Sequence, residues 1–414
     1  MRLRLEPAHV VIIAGVAAAL HVGKLPPALP VLQADLGITL VQAGFLLSLV
    51  QLAGMTLGLA VGLAADGIGL KRSMIAGLVV LSVASALGGF AEGPSMLLGL
   101  RALEGFGFLL AATPAPSLIR KLVAPQRLDG AMGLWGAYMP FATALALLCG
   151  PAAIGVIGWQ GWWWLLAVLS LAVAGWLGMA VPGAQGISGA PGAATGAQSN
   201  SISAGSSANG WRGRLSETLR APGPWLVALG FAMYSGQWLA VVGFLPSVYA
   251  AAGVTGWTAA ILTASAAAVN MAGNIGSGRL LQRGVRPQAL LFTGYLAMGF
   301  AAVLAFMPWE AWPAAARYCA VLVFSGVGGV IPGTLFSLSV RLAPGPGAVS
   351  TTVGFMQQWS ALGQFAGPPL VAWVASAVGG WHWTWAVTGV FSAMGLVVAA
   401  QVGRLLGRTG SSPR

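Results

Sequence analysis

Residues 105–120 read GFGFLLAATPAPSLIR, and residues 326–341 read GVGGVIPGTLFSLSVR. Both are apolar runs that end on an arginine, Arg120 and Arg341, and both carry paired glycines at the same places, Gly105 and Gly107 against Gly326 and Gly328. Each is long enough to form most of a membrane-spanning helix, and the likeness says that the chain holds two copies of one plan. Other pairs follow outward from this one. Gly150-Pro151 matches Gly367-Pro368, and Gly161-Trp162-Trp163-Trp164 matches Gly380-Trp381-His382-Trp383. Gly62 to Lys71 matches Gly278 to Arg286 with one residue deleted.

Composition agrees. Of the 414 residues 57% are hydrophobic and only 7% are charged, against roughly 25% charged in a soluble domain. So few charges could not clothe a soluble surface of this size. In a bilayer they need not, provided the backbone closes its hydrogen bonds within helices or a closed barrel. Barrel strands alternate apolar and polar residues, and the continuous apolar runs here do not. The expected fold is therefore all-α and integral to the membrane. Twelve transmembrane helices are expected, in two six-helix pseudo-repeats. The expected spans are 8–30, 40–65, 72–91, 96–119, 130–157 and 161–181, then 223–249, 257–282, 288–307, 314–341, 349–378 and 383–404. This gives an N-terminal half, 1–181, and a C-terminal half, 223–414, joined by a Gly-, Ala-, Ser- and Pro-rich linker at 182–222. Its end, Trp211 to Arg220, reads either as a short surface helix or as plain linker. Arg2 and Arg4 before an apolar run resemble a signal peptide, but the run continues into His21, Lys24, Pro26 and Pro27, so a retained first helix is expected.

The formal charge of +12 is a topological signal. Alternate loops gather Lys71, Arg72, Arg120, Lys121, Arg127, Arg283, Arg286 and Arg341 on the side of both termini and the linker. The opposite side holds Asp35, Glu92 and Glu310, with Arg317 its one basic residue. This is the positive-inside pattern, which makes both termini and the linker cytoplasmic in a bacterial-type inner membrane and argues against nucleic acid as a partner. Cys149 and Cys319 lie in apolar spans without paired or metal-like spacing, so no disulfide, metal site or cofactor is expected.

At Gly62-Leu63-Ala64-Ala65-Asp66-Gly67-Ile68-Gly69-Leu70-Lys71-Arg72 the chain resembles the major facilitator superfamily. The loop between helices 2 and 3 of that family reads Gly, three residues, Asp, basic, any, Gly, then basic residues. Gly67 replaces the basic residue here, and Leu70 displaces the basic pair. Arg101-Ala102-Leu103-Glu104-Gly105 resembles the family's helix 4 motif, where Gln is commoner at the position of Glu104. The resemblance implies a monomeric secondary transporter working by alternating access. It also implies a conformational latch, with Asp66 facing the N-terminus of span 11 near Ser350 and Thr351, supported by Gly62, Gly69, Lys71 and Arg72.

Ionisable residues within spans are costly and mark function. His21 and Lys24 lie in span 1, Arg101 and Glu104 in span 4, each pair spaced i, i+3 on one helix face. Lys24 lies about 9 Å and Glu104 about 12 Å from the outer ends of their expected spans, at roughly 1.5 Å per residue. In the family, helices 1, 4, 7 and 10 surround the central cavity, so the resemblance implies that the four side chains meet. With His21 neutral the group is net positive, which suits a small anionic substrate. Lys24, His21 and Arg101 are then the substrate-binding residues and Glu104 the proton carrier. The structural alternative is that Arg101 and Glu104 merely neutralise each other while Lys24 reaches outward. The repeat places Tyr234 and Gln237 where span 1 has His21 and Lys24, and Asn270 and Gln357 add neutral hydrogen-bonding groups to the second half; these four are expected to bind substrate as well. His21 and Lys24 before a double proline also resemble cyanate- and nitrate-type permeases of the superfamily. A drug/proton antiporter is the alternative: Gly150-Pro151-Ala152-Ala153-Ile154-Gly155 partly matches its helix 5 motif. A non-transporting membrane sensor is the other reading. No Walker A sequence, zinc spacing or nucleophile elbow is present, so an enzyme is not expected.

Overall fold

Apolar runs of this length satisfy their backbones as helices. The computed structural model describes residues 6–58, 61, 69–124, 131, 134–182, 211–308, 312–345 and 348–410, and among these there is no strand. The first half holds α1 (Pro7–Leu36), α2 (Leu40–Gly58), α3 (Leu70–Gly88) and α4 (Pro94–Ala112, continuing as Ala115–Leu122). The helix Tyr138–Ala180 follows, divided at Gly158 into α5 (138–157) and α6 (159–180). The second half holds α7 (Pro222–Ala251), α8 (Gly256–Gln282), α9 (Pro287–Phe306), α10 (Ala314–Arg341), α11 (Val349–Val378) and α12 (Thr384–Gly410).

Eleven described helices are long and apolar enough to cross a membrane. The twelfth span emerges at Gly158. A straight helix of 43 residues would run about 65 Å, twice a hydrocarbon core of about 30 Å. Gly158 stands at φ 71° and ψ 171°, a conformation essentially reserved for glycine, and breaks the run in two. Among the described residues the other expected spans coincide with helices, with two ends moved: α1 runs on to Leu36 instead of stopping near residue 30, and α12 to Gly410 instead of 404; the expected end of the second span and start of the fifth lie outside the described residues.

Local chemistry sets the helix ends. Prolines occupy the first turns of α1, α4, α7 and α9, where a missing N–H costs nothing. Thr39 and Gln42 form a reciprocal capping box at the start of α2. Within the membrane the helices are interrupted: α1 at Lys24, α2 by a 3₁₀ turn at Leu49–Gln51, and α10 at Gly329.

Small residues let the helices close up. Gly363 and Gly367 of α11 lie so near the carbonyls of Ala232 and Gly236 in α7 that neither site has room for a Cβ. The halves meet through α2 against α11 and through α5 against α8. At the end that carries Asp35 and Glu92 they share one apolar core, in which Leu25, Leu29, Leu32 and Leu47 pack with Ala240, Phe244, Val371 and Ala372. A second core belongs to the second half, joined by Leu147 of α5, and a small third one gathers Ala53, Val61 and Leu109. Outward-facing Phe90, Val156, Val168, Met179, Phe300 and Trp373 are largely exposed, an apolar girdle that suits lipid. A short helix, Trp211–Arg220, precedes α7 and rests against α7 and α11; Trp225 Nε1 donates to Leu219 O at 2.8 Å.

Candidate functional site

The break in α1 has a local cause. Pro26 and Pro27 have no N–H, so the carbonyls of Val22 and Gly23 lose their intrahelical donors. Arg101 of α4 answers part of that loss. Its Nη1 donates to His21 O and its Nη2 to Val22 O (3.4 Å), while Nε donates to Leu46 O of α2 (2.9 Å). Trp162 Nε1 of α6 donates to Lys24 O at 3.1 Å. One guanidinium thus ties α4 to the broken turn of α1 and to α2.

At that break the four expected ionisable residues come together. Lys24 Nζ pairs with Glu104 Oε1, and Arg101 Nη1 pairs with Glu104 Oε2 at 2.7 Å. His21 Nδ1 lies 3.8 Å from Glu104 Oε1 and 3.4 Å from Lys24 Nζ, and its Nε2 is 2.7 Å from Ser170 Oγ of α6. If Nδ1 accepts from the ammonium, Nε2 carries the proton and donates to Ser170. Lys24 Nζ also donates to Ser85 Oγ of α3 at 2.8 Å and sits 4.5 Å from the centre of the Trp163 ring, within cation–π range. Ser85 Oγ in turn donates to Trp163 O.

None of the four side chains is more than 2% exposed. Because α1 runs on to Leu36, Lys24 lies about 18 Å from its far end, and Glu104 about 15 Å from the start of α4, both near the middle of a core about 30 Å thick. With His21 neutral the cluster holds two cations against one carboxylate. Every charge is paired, as burial at such depth requires. The alternative in which Lys24 reaches outward is not the arrangement seen.

The second half repeats the framework without charge. Gly23 of α1 sits against Thr143 and Ala146 of α5; Gly236 of α7 sits against Gly363 of α11, and Ser235 Oγ donates to Ser360 O at 2.9 Å. This correspondence sets Tyr234 opposite His21 and Gln237 opposite Lys24. Tyr234 OH lies 2.9 Å from Asn270 Nδ2 of α8, which also donates to Ser325 O of α10 at 2.8 Å. Gln237 Oε1 accepts from Ser392 Oγ of α12 at 3.0 Å, and Gln237 Nε2 donates to Met233 O. Trp238 Nε1 donates to Ser325 Oγ at 3.0 Å. Tyr234 and Asn270 therefore meet, whereas Gln237 is engaged elsewhere in the same half. Gln357 joins neither group: it is exposed on α11, on the helix face that carries Ala361 and Gln364.

The expected latch divides. Gly62 and Asp66 lie outside the described residues. Gly69 stands at φ 98° just before α3, and Arg72 is exposed. Lys71 Nζ donates to Gly178 O (2.8 Å) and Val181 O (2.6 Å), so it caps the C-terminal end of α6 inside the first half.

Ser85, Ser170, Trp162, Trp163 and Ser325 are partners that residue-by-residue reading passed over. For Ser325 a signal existed, because aligning Gly105 with Gly326 sets Ser325 at the position of Glu104. Isolated serines and tryptophans in apolar helices carry no comparable mark.

The sequence matches the family described as Major Facilitator Superfamily over residues 11–368, and the chain belongs to that superfamily. It is 33% identical to the puromycin resistance protein pur8 of Streptomyces alboniger over 142 residues, 34% of this chain and 28% of that protein. It is 33% identical to the methylenomycin A resistance protein of Bacillus subtilis over 125 residues, 30% of this chain and 26% of that protein. The inner membrane transport protein YajR of Escherichia coli is 29% identical over 109 residues, 26% of this chain and 24% of that protein. The chain spans about a quarter of the length of these curated relatives. In fold it is similar to a bacterial homolog of the human lysosomal transporter Spinster in an inward-facing, unoccupied conformation. The TM-score is 0.77 at 16% identity, covering 99% of this chain and 98% of that one.

Proposed function

We propose that this member of the superfamily is a proton-coupled secondary transporter that moves a small organic anion by alternating access. The observation that carries this reading is Glu104, sealed near mid-membrane between Lys24 and Arg101 at the break in α1. Protonating that carboxylate removes the one negative charge and leaves two buried cations without a counter-ion. Removing one partner of a buried pair costs about 3–5 kcal/mol. A small anion that takes the vacated place on Lys24 offsets that cost, so proton and anion bind together. Glu104 is then the proton carrier, Lys24 the substrate counter-ion, and Arg101 and His21 complete the pocket. In this reading Gln357, exposed on α11, contacts substrate as well, while Tyr234, Gln237 and Asn270 shape the neutral wall.

In this reading the basic ends of the helices and residues 182–222 face the cytoplasm of a bacterial inner membrane, as the positive-inside rule requires, and Asp66 latches the cytoplasmic side. The transporter acts as a monomer.

A second reading draws on the relatives. Two of them are named for resistance to antibiotics, puromycin and methylenomycin A, which favours a drug/proton antiporter built on the same cluster. Proteoliposomes with imposed pH gradients separate the two. The anion reading expects labelled carboxylates to accumulate when protons flow in, with exchange retained but accumulation lost in Glu104→Gln. Expulsion of cationic drugs with no movement of any anion would overturn it in favour of the antiporter.

A further inference from the structure

A line of contacts leaves the ion cluster and reaches the other half. Besides gripping Glu104, Arg101 holds Leu46 O of α2. Two residues beyond Leu46 and its neighbour Leu47 comes the 3₁₀ turn Leu49–Gln51. It lies where α4 comes closest, since a Cβ on Gly105 would collide with the backbone of Val50. Gln51, 4% exposed, sits at the end of that turn and donates from Nε2 to Gln364 Oε1 of α11 at 3.0 Å. Gln364 Nε2 donates on to Ser360 Oγ, and Gln358 Nε2 of α11 donates to Met55 O of α2 at 2.7 Å.

We infer that the 3₁₀ turn of α2, through Gln51 and Gln364, transmits rearrangement of the ion cluster to the interface between the two halves. A short 3₁₀ stretch inside a longer helix is one hydrogen-bond register away from α geometry, and the two differ by about 20° of rotation per residue. Arg101 holds the α-helical turn that leads into it, by the carbonyl of Leu46. When Glu104 releases the guanidinium, the pull on Leu46 O changes, the turn relaxes toward α geometry, and Gln51 rotates away from Gln364. Gln51 and Gln364 are positioning residues, touching neither substrate nor proton. Around Glu104 the charged or titratable groups are Lys24 and His21 from α1 and Arg101 from its own helix; α3 offers Ser85 and α2 offers backbone. This inference rests on the proton reading of Glu104.

The test uses the full chain in lipid nanodiscs, with Cys149 and Cys319 replaced by alanine. Spin labels are placed at Glu92 and Ala252, exposed sites at the same end of the two halves. Distances between the labels are measured by electron double resonance in mildly alkaline and mildly acidic buffer. The parent protein is expected to shift its distance distribution on acidification. In Gln364→Leu, and in Gln51→Leu combined with Gln364→Leu, that shift falls about fivefold or more. The double variant keeps an apolar pair in place of the polar one, so a folding defect in Gln51→Leu alone does not decide the matter. A full shift retained in folded variants overturns the inference and leaves the proton reading intact. A parent that does not respond to acid, and behaves as Glu104→Gln does, overturns the proton reading and the inference with it.

Discussion

The two halves place the same helices around the same glycine contacts and fill them with opposite chemistry. At equivalent sites the first half has His21, Lys24 and Glu104, and the second has Tyr234, Gln237 and Ser325. Both sets are buried and hydrogen-bonded, so both hold helices together. Only the first holds charged groups, among them the carboxylate of Glu104. The difference teaches that the scaffold itself needs no charge at these positions, because the second half stands on neutral groups alone.

The largest effect should come from making the first half unlike itself. Glu104→Ala strands Lys24 and Arg101 and should cost about 3–5 kcal/mol, read as a lowered unfolding midpoint in detergent. Adding Lys24→Gln to Glu104→Ser puts the residues of the second half at two of its sites and leaves Arg101 as the one stranded cation. It is expected to recover part of the stability lost in Glu104→Ser while leaving proton-driven accumulation at zero. No recovery would break the equivalence of the halves. Next comes Gly363→Leu, which forces α11 away from Ala232 of α7 and should cost about 1–3 kcal/mol by overpacking. Trp238→Phe removes the donor to Ser325 Oγ and is expected to cost about 1 kcal/mol, with the pH dependence of transport unchanged. A changed pH profile would show that the neutral half takes part in proton movement. The smallest effect is expected from Lys71→Met, which uncaps the end of α6 and should cost about 0.3–1 kcal/mol.

Much of this comparison was legible in the sequence. Apolar runs, loop charges and paired motifs specify the twelve helices, because lipid leaves the backbone only helices or a closed barrel, and these continuous runs lack a barrel's alternation. The ion cluster was legible too: i, i+3 spacing puts His21 with Lys24 and Arg101 with Glu104, and the family resemblance implied that the two helices bring these pairs together. What escaped depends on long-range geometry. Ser170 and Ser85 become partners only when α6 and α3 pack against α1. Gln51 meets Gln364 across 313 residues of chain. Lys71 belongs to a loop motif, yet its reach takes it to the end of α6, which nothing local foretells. The joint of α5 and α6 was placed correctly, but its form, a single glycine with no loop, follows from Gly158 φ and ψ.

The apolar core shared by the halves at the Asp35 end has a thermal consequence. Leu25, Leu29, Leu32 and Leu47 against Ala240, Phe244, Val371 and Ala372 form a closure without hydrogen bonds of its own side chains. If the seam opens to water, it exposes hydrocarbon, and such exposure raises the heat capacity. The equilibrium between closed and open seams is then curved in temperature. Chilling weakens the apolar grip between the halves. In the proton-coupled reading proposed above, temperature and protons then act on different parts of one cycle.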